Sequence, residues 1–179
     1  SLQTLWDLSA DYTWGVAAYV LITLAAGLFI GWMLRVEAPS SKLITAGTAI
    51  CGGTAIATLS TLVGAQPQQT AVALAIVFLL NALALFSFPM VGEFFDLSQL
   101  QFGLWSALAI HDTSSVVATA AIYGDEAAGV ATTLKLGRTL WIIPVALGAT
   151  LLQRSEEAQL RVPGFVLAFV AAAGLTSIA

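Results

Sequence analysis

Charge is what this sequence has least of. Only 9% of its 179 residues are charged, against roughly 25% in ordinary soluble domains. That leaves too little polar surface to cover a core, which excludes a water-soluble domain. The six Lys and Arg residues form no run or stripe, so the footprint that holds a phosphate backbone is missing and nucleic acid is excluded as a partner. Cysteine is nearly absent as well. Cys51 stands alone, ruling out an intramolecular disulfide or a Cys-rich metal site and leaving the redox compartment unspecified. The chain has no Walker loop, His-Glu-x-x-His pair, Gly-x-Ser-x-Gly elbow or paired cysteines, so it reads as a non-enzyme without cofactor or metal. The start, Ser1 to Asp7, lacks a basic flank, an Ala-x-Ala cleavage site and an initiator Met. The far end stops within an apolar run, Pro163 to Ala179. Both ends read as cuts, and the chain as a piece of a longer polypeptide.

What is present is apolar and comes in blocks. Hydrophobic residues make up 59% of the chain, with a mean hydropathy of +0.92. A membrane-spanning helix needs about 20 such residues, and the charges mark where spans must break. This spacing predicts an all-α, polytopic membrane bundle forming a single transmembrane domain over 1–179. Its passes fall at about 14–34, 43–63, 70–91, 102–123, 127–152 and 163–179. Residues 1–12 are expected along the interface, with Leu2, Leu5, Trp6 and Leu8 on one face. Basic residues gather in cytoplasmic loops. Arg35 and Lys42, then Arg154 and Arg161, therefore place the loops 35–42, 92–101 and 153–162 in the cytoplasm, and 64–69 and 123–126 outside.

Two spans look interrupted. Backbone that leaves the helix at membrane depth survives only where protein or a watery cavity surrounds it. The first place is Gly47 to Ala55, with Gly52-Gly53 at its centre. Such a pair costs about 2 kcal/mol of helix propensity relative to Ala. A break there exposes amides that could receive an anion, with Thr48 and Thr54 adding hydroxyls. The same small residues would equally serve close packing of helices, and Thr often bonds its own backbone. The second place is His111-Asp112-Thr113-Ser114-Ser115, five polar residues inside an apolar span. An isolated carboxylate costs on the order of 3 kcal/mol at that depth, so it needs a partner or a role. Asp112 followed by three hydroxyl residues resembles a helix N-cap. His111 and Asp112 could act as a proton-accepting pair, contact a solute, or serve as a structural cap and ion pair.

Lys135 and Arg138 lie one turn apart on the fifth pass. Facing inward, they would attract an anion or neutralise Asp112; near the headgroups, they would snorkel. Asn81 on the third pass fits an interhelical hydrogen bond better than a ligand.

The segment Gly47-Thr48-Ala49-Ile50-Cys51-Gly52-Gly53-Thr54-Ala55-Ile56-Ala57, then Phe102-Gly103-Leu104-Trp105, Ile110-His111-Asp112 and Leu134-Lys135-Leu136-Gly137-Arg138 form an ordered set. In these motifs the chain resembles the presumed sulfate exporter family, bacterial inner-membrane proteins of about ten passes grouped with inverted-repeat bile-acid symporters and cation/proton antiporters. The resemblance covers nearly the whole chain, which would be the central and later part of a full member. It implies part of an inverted-repeat fold with discontinuous helices, in the inner (plasma) membrane, carrying sulfate or a similar sulfur oxyanion. Cys51, Gly52, Gly53, Thr54, His111, Asp112, Lys135 and Arg138 match the family by position. After the histidine many members have Glu-Val-Ala-Gln, where this chain has Asp112-Thr113-Ser114-Ser115; the acid is kept and the Gln lost.

The resulting expectation is a secondary transporter of a small anion such as sulfate or a sulfonate. Thr48, Cys51, Gly52, Gly53, Thr54, Thr113, Ser114, Ser115, Lys135 and Arg138 would bind solute, while His111 and Asp112 couple protons. A cation/proton antiporter and a non-transporting scaffold or sensor subunit are the competing readings. The expected partners are the lipid bilayer, the small anion, and a second copy of the chain or the remaining segments of the same polypeptide.

Overall fold

A computed structural model describes the main chain of residues 2–152 and the side chains of residues 14–149. The pass expected at 163–179 and the loop 153–162 lie outside the described residues, as do the side chains of the segment 1–12. Among the described residues every regular element is a helix. In chain order these are α1 (Leu2–Met33), α2 (Ala38–Ala49), α3 (Gly53–Leu62), α4 (Pro67–Phe94), α5 (Gln99–Ala109), α6 (Thr113–Tyr123), α7 (Asp125–Thr139) and α8 (Ile142–Leu152).

The boundaries follow from local chemistry. α1, α3 and α4 end the same way, with one residue in the left-handed region (Arg35 at φ 55°, Gly64 at 63°, Asp96 at 50°). The next amide reaches back five residues, from Val36 to Gly31, Ala65 to Ser60 and Leu97 to Gly92, at 2.9 to 3.0 Å. This closure satisfies carbonyls that the helix leaves without partners. Proline opens α2 and α4, where its missing N–H costs nothing. Reciprocal side-chain caps start α4 (Gln66 with Gln69) and α5 (Ser98 with Gln101).

Among the described residues, three stretches are long and apolar enough to cross a membrane: Trp14–Met33, Pro67–Phe94 and Asp125–Ala149. The spans expected at 43–63 and 102–123 are each divided into two short helices, α2 with α3 and α5 with α6. The fifth expected span also bends, between α7 and α8. Pro144 has no N–H to give Leu140, so the chain tightens there through an Ile143-to-Leu140 bond of 3.2 Å. One expectation is corrected: α1 runs unbroken from Leu2, so residues 2–12 extend the helix that carries the Trp14–Met33 span instead of forming a separate segment along the interface. No Gly or Pro lies between Leu2 and Trp14 to allow that turn.

Packing is inverted relative to a soluble domain. The buried positions are dominated by small residues, among them Ala46, Ala49, Ala55, Ala107, Ala127 and Ala131, while Trp32, Phe86, Met90 and Phe94 are 70 to 82% exposed. Hydrocarbon gives no incentive to bury large side chains, and close backbone approach holds helices together. α1 meets α2 in this way, since an added Cβ on Gly27 would stand 2.7 Å from Thr45 and one on Gly31 would overlap Ser41. An aromatic group joins α4, α5 and α6: Phe102 stacks on Tyr123 at 3.9 Å, and Phe88 stacks on Trp105 at 4.1 Å. α7 packs against α1, α5 and α6, and α4 against α2, α3 and α6. α4 thereby touches both divided spans, and α7 packs along the second.

Candidate functional site

Ile50 to Gly52 and Ile110 to Asp112 are the two gaps in the helical pattern. Gly52 has φ 66° and ψ −120°, a combination that a Cβ makes costly. It also has no room for one: a Cβ there would lie 3.2 Å from the Asp112 nitrogen, the His111 carbonyl carbon and Val77 Cγ1. The two interruptions therefore touch backbone to backbone, with α4 beside them. In the second gap, Ile110 and Asp112 are extended, at ψ 135° and 140°.

Each gap creates two helix ends, and a helix end leaves four backbone groups without partners. At the C-terminal ends the accounting is nearly complete. Ala46 and Gly47 of α2 accept from the amides of Ile50 and Gly52, at 3.0 and 2.9 Å. Arg138 supplies the rest. Its Nε donates to Ala49 O at 2.8 Å, its Nη2 to Thr48 O, and its Nη1 to Ala107 O at 3.1 Å and Leu108 O at 2.8 Å. One guanidinium thus bridges the ends of α2 and α5. Lys135 Nζ donates to Ile110 O at 2.6 Å and reaches Ala107 O at 3.4 Å. Tyr19 on α1 completes the arrangement, giving its hydroxyl to Leu108 O at 2.8 Å and its ring face to Arg138, 4.7 Å away. Lys135 and Arg138 are 0 and 1% exposed. Their donors face the negative poles of two helix dipoles, each equivalent to about half an elementary charge.

The N-terminal ends are treated differently. α6 is capped by Asp112, whose Oδ2 accepts from the Ser115 amide at 3.2 Å, from Ser115 Oγ at 3.4 Å and from Ser114 Oγ. α3 starts at Gly53 with no side-chain cap. Beside that end opens a cleft of about 670 Å³, lined by Gly53, Thr54, Thr58 and Thr61 of α3, Leu74 and Phe78 of α4, and Asp112. Asp112 Oδ1 takes no hydrogen bond among the described residues. The cleft therefore combines a positive helix end, hydroxyls and one carboxylate.

The sequence-derived candidates divide between the two sides of this crossing. Gly53, Thr54 and Asp112 line the cleft, and Ser114 and Ser115 bond to Asp112. Thr113 opens α6, half-buried. Gly52 forms the contact itself, and Cys51 is buried behind it, its thiol beside the Ala55 amide and the Thr54 hydroxyl. Thr48 contributes its carbonyl to Arg138. Lys135 and Arg138 do not line the cleft, and their donors are turned to carbonyls. His111 is half-buried; its amide donates to Asn81 Oδ1 at 3.1 Å, and its Nδ1 has no partner among the described residues. Asn81 is 3% exposed, and its Nδ2 is likewise unpartnered, a condition that costs about 1–3 kcal/mol for a buried donor.

Sequence reasoning passed over Tyr19, Thr58 and Thr61. The threonines carried a signal, since Thr54, Thr58 and Thr61 repeat at helical spacing on one face. Tyr19 carried none, being one aromatic in an apolar run.

Comparison with known proteins gives a consistent picture. The model of a family described as Conserved hypothetical protein 698 matches residues 1–179. A UPF0324 membrane protein of Shewanella oneidensis is 50% identical over 147 residues, covering 82% of this chain and 46% of the relative. One from Photobacterium profundum is 47% identical over 152 residues, covering 85% of this chain and 47% of the relative. One from Geobacter sulfurreducens is 44% identical over 168 residues, covering 94% and 54%. The chain thus spans about half the length of the curated relatives it matches. No solved structure shows significant similarity to it.

Proposed function

Because the chain belongs to this conserved family of membrane proteins, we propose that it forms part of a secondary transporter for a small oxyanion, sulfate or a sulfonate, with proton coupling through Asp112. One observation carries the reading. Two interrupted helices meet at Gly52 and His111–Asp112, and the uncapped amide end of α3 opens beside the Asp112 carboxylate into a common cleft.

Each divided pair then serves as one discontinuous pass, giving five passes up to Leu152 and a sixth at 163–179. The loops 35–42, 92–101 and 153–162 face the cytoplasm of a bacterial inner membrane. At the crossing, the amides of Gly53 and Thr54 and the hydroxyl of Thr54 hold the oxyanion. Helix N-termini receive anions without a fixed cationic side chain. Lys135 and Arg138 act from behind. They neutralise the carbonyl ends and, with Lys135 protonated, leave the region about one charge positive once the end dipoles are counted.

Asp112 supplies the coupling. An ionised carboxylate next to an oxyanion in a low-dielectric cleft repels it, while a protonated one donates a hydrogen bond. Solute and proton therefore enter together, and His111 at the same turn relays the proton. The relatives' length beyond this chain would complete the walls of the cleft.

The test is equilibrium binding of radiolabelled sulfate to the purified chain, with uptake into proteoliposomes by the full-length Shewanella oneidensis relative in parallel. Saturable binding and acid-stimulated uptake support the proposal. Its loss requires only that neither protein binds or moves any of sulfate, methanesulfonate and phosphate. A cation/proton exchanger is the second reading, favoured by the free Asp112 Oδ1 among threonine hydroxyls. It predicts Na+ or K+ dependence and no competition by anions.

A further inference from the structure

We propose that Asn81 is a binding residue of this site, its Nδ2 donating a hydrogen bond to an oxygen of the bound oxyanion; the inference rests on the transport reading above. Asn81 sits on α4, buried to 3% exposure, one turn beyond Val77, which touches the Gly52 contact, and Phe78, which lines the cleft. Its carboxamide orientation is fixed by chemistry. The His111 amide can only donate, so the atom 3.1 Å from it is Oδ1. The carboxamide is planar and carries both heteroatoms on one carbon, so Nδ2 also abuts the second interruption.

Holding the His111 amide needs an acceptor and nothing more. An aspartate or a backbone carbonyl would do it. The asparagine adds a donor, and among the described residues that donor has no partner. The neighbouring His111 Nδ1 is unpartnered as well. Two buried polar atoms thus stand unused where the interruptions meet, next to residues that line the cleft. The cationic side chains nearby spend their donors on carbonyls. An anion at the crossing is therefore held by neutral donors, and Asn81 supplies one whose direction the His111 amide fixes. Oxygen-bearing anions with acceptor atoms in fixed directions satisfy it; spherical halides do not.

Asn81 is the only asparagine in the sequence, which makes the claim directly readable. Selective 15N-asparagine labelling of the chain gives one side-chain amide signal and one backbone signal, the latter an internal reference. Titration with sulfate is expected to move the side-chain signal saturably, with the midpoint found by radiolabelled sulfate binding. Asn81→Asp, which keeps the acceptor for His111 and removes the donor, is expected to weaken sulfate at least tenfold; burying its carboxylate also lowers the melting temperature. Asn81→Leu loses both roles and should fall in both measurements. If wild type binds sulfate while the Nδ2 signal stays fixed and Asn81→Asp binds within twofold, Asn81 is only a structural tether and the inference fails alone. If wild type binds none of sulfate, methanesulfonate and phosphate, the transport reading fails and takes this inference with it.

Discussion

Gly52 and Asp112 meet through their backbones: a Cβ on the glycine would lie 3.2 Å from the aspartate's amide nitrogen. Neither partner can yield as a flexible side chain would, and the glycine already occupies φ 66°, ψ −120°. Gly52→Ala therefore meets a conformational and a steric penalty together, of about 1–3 kcal/mol for the backbone alone. Gly53→Ala is the control. Its Cβ would meet side chains and no backbone, the Phe78 ring at 3.2 Å and Leu74 Cδ2 at 3.6 Å, and alanine suits the first turn of a helix. Thermal unfolding in detergent should show a large drop for the first variant and a small one for the second. Equal drops would mean the interruptions are not in contact.

Arg138 joins the broken ends of α2 and α5 through four carbonyls. A lysine keeps the charge but lacks the planar fork that spans both ends. Arg138→Lys should cost at least about 2 kcal/mol, since several carbonyls lose charge-assisted partners. Arg138→Met should cost more. Chemical unfolding in mixed micelles measures both, and a lysine variant as stable as wild type would contradict the bridging role.

Tyr19 separates two contributions. Tyr19→Phe removes the 2.8 Å bond to Leu108 O and keeps the ring 4.7 Å from Arg138, for an expected loss of about 1 kcal/mol. Tyr19→Leu also removes the cation–π contact, adding about 1–2 kcal/mol. A phenylalanine variant as unstable as the leucine one would show that the ring contributes nothing.

Asp112→Asn tests coupling without dismantling the cap. Asparagine caps helices about as well as aspartate, so the melting temperature should stay near wild type. In the proposed mechanism the ionised carboxylate repels the oxyanion, so removing its charge should tighten sulfate binding at neutral pH. Unchanged sulfate affinity in the variant would remove Asp112 from the coupling step.

The class of protein was legible from the scarcity of charge and the helix-length apolar blocks, because solvation in hydrocarbon acts on composition directly. Both interruptions were legible too: Gly52-Gly53 lowers local helix stability, and His111-Asp112 is too costly to leave in lipid. Residues 2–12 were misplaced because an amphipathic pattern does not reveal whether the preceding helix simply continues. Pro144 bends the fifth span, a local cause that counting apolar residues over a window conceals.

The sequence by itself determined that the helices break and where, since backbone propensity and desolvation are local. Only the tertiary structure decided what each broken end faces. Lys135 and Arg138, which spacing alone left as either inward or snorkelling cations, are turned to the carbonyls of α2 and α5, while the amide end of α3 is left to the cleft. Partner choice depends on which helix passes within hydrogen-bonding distance, and linear spacing does not contain that distance.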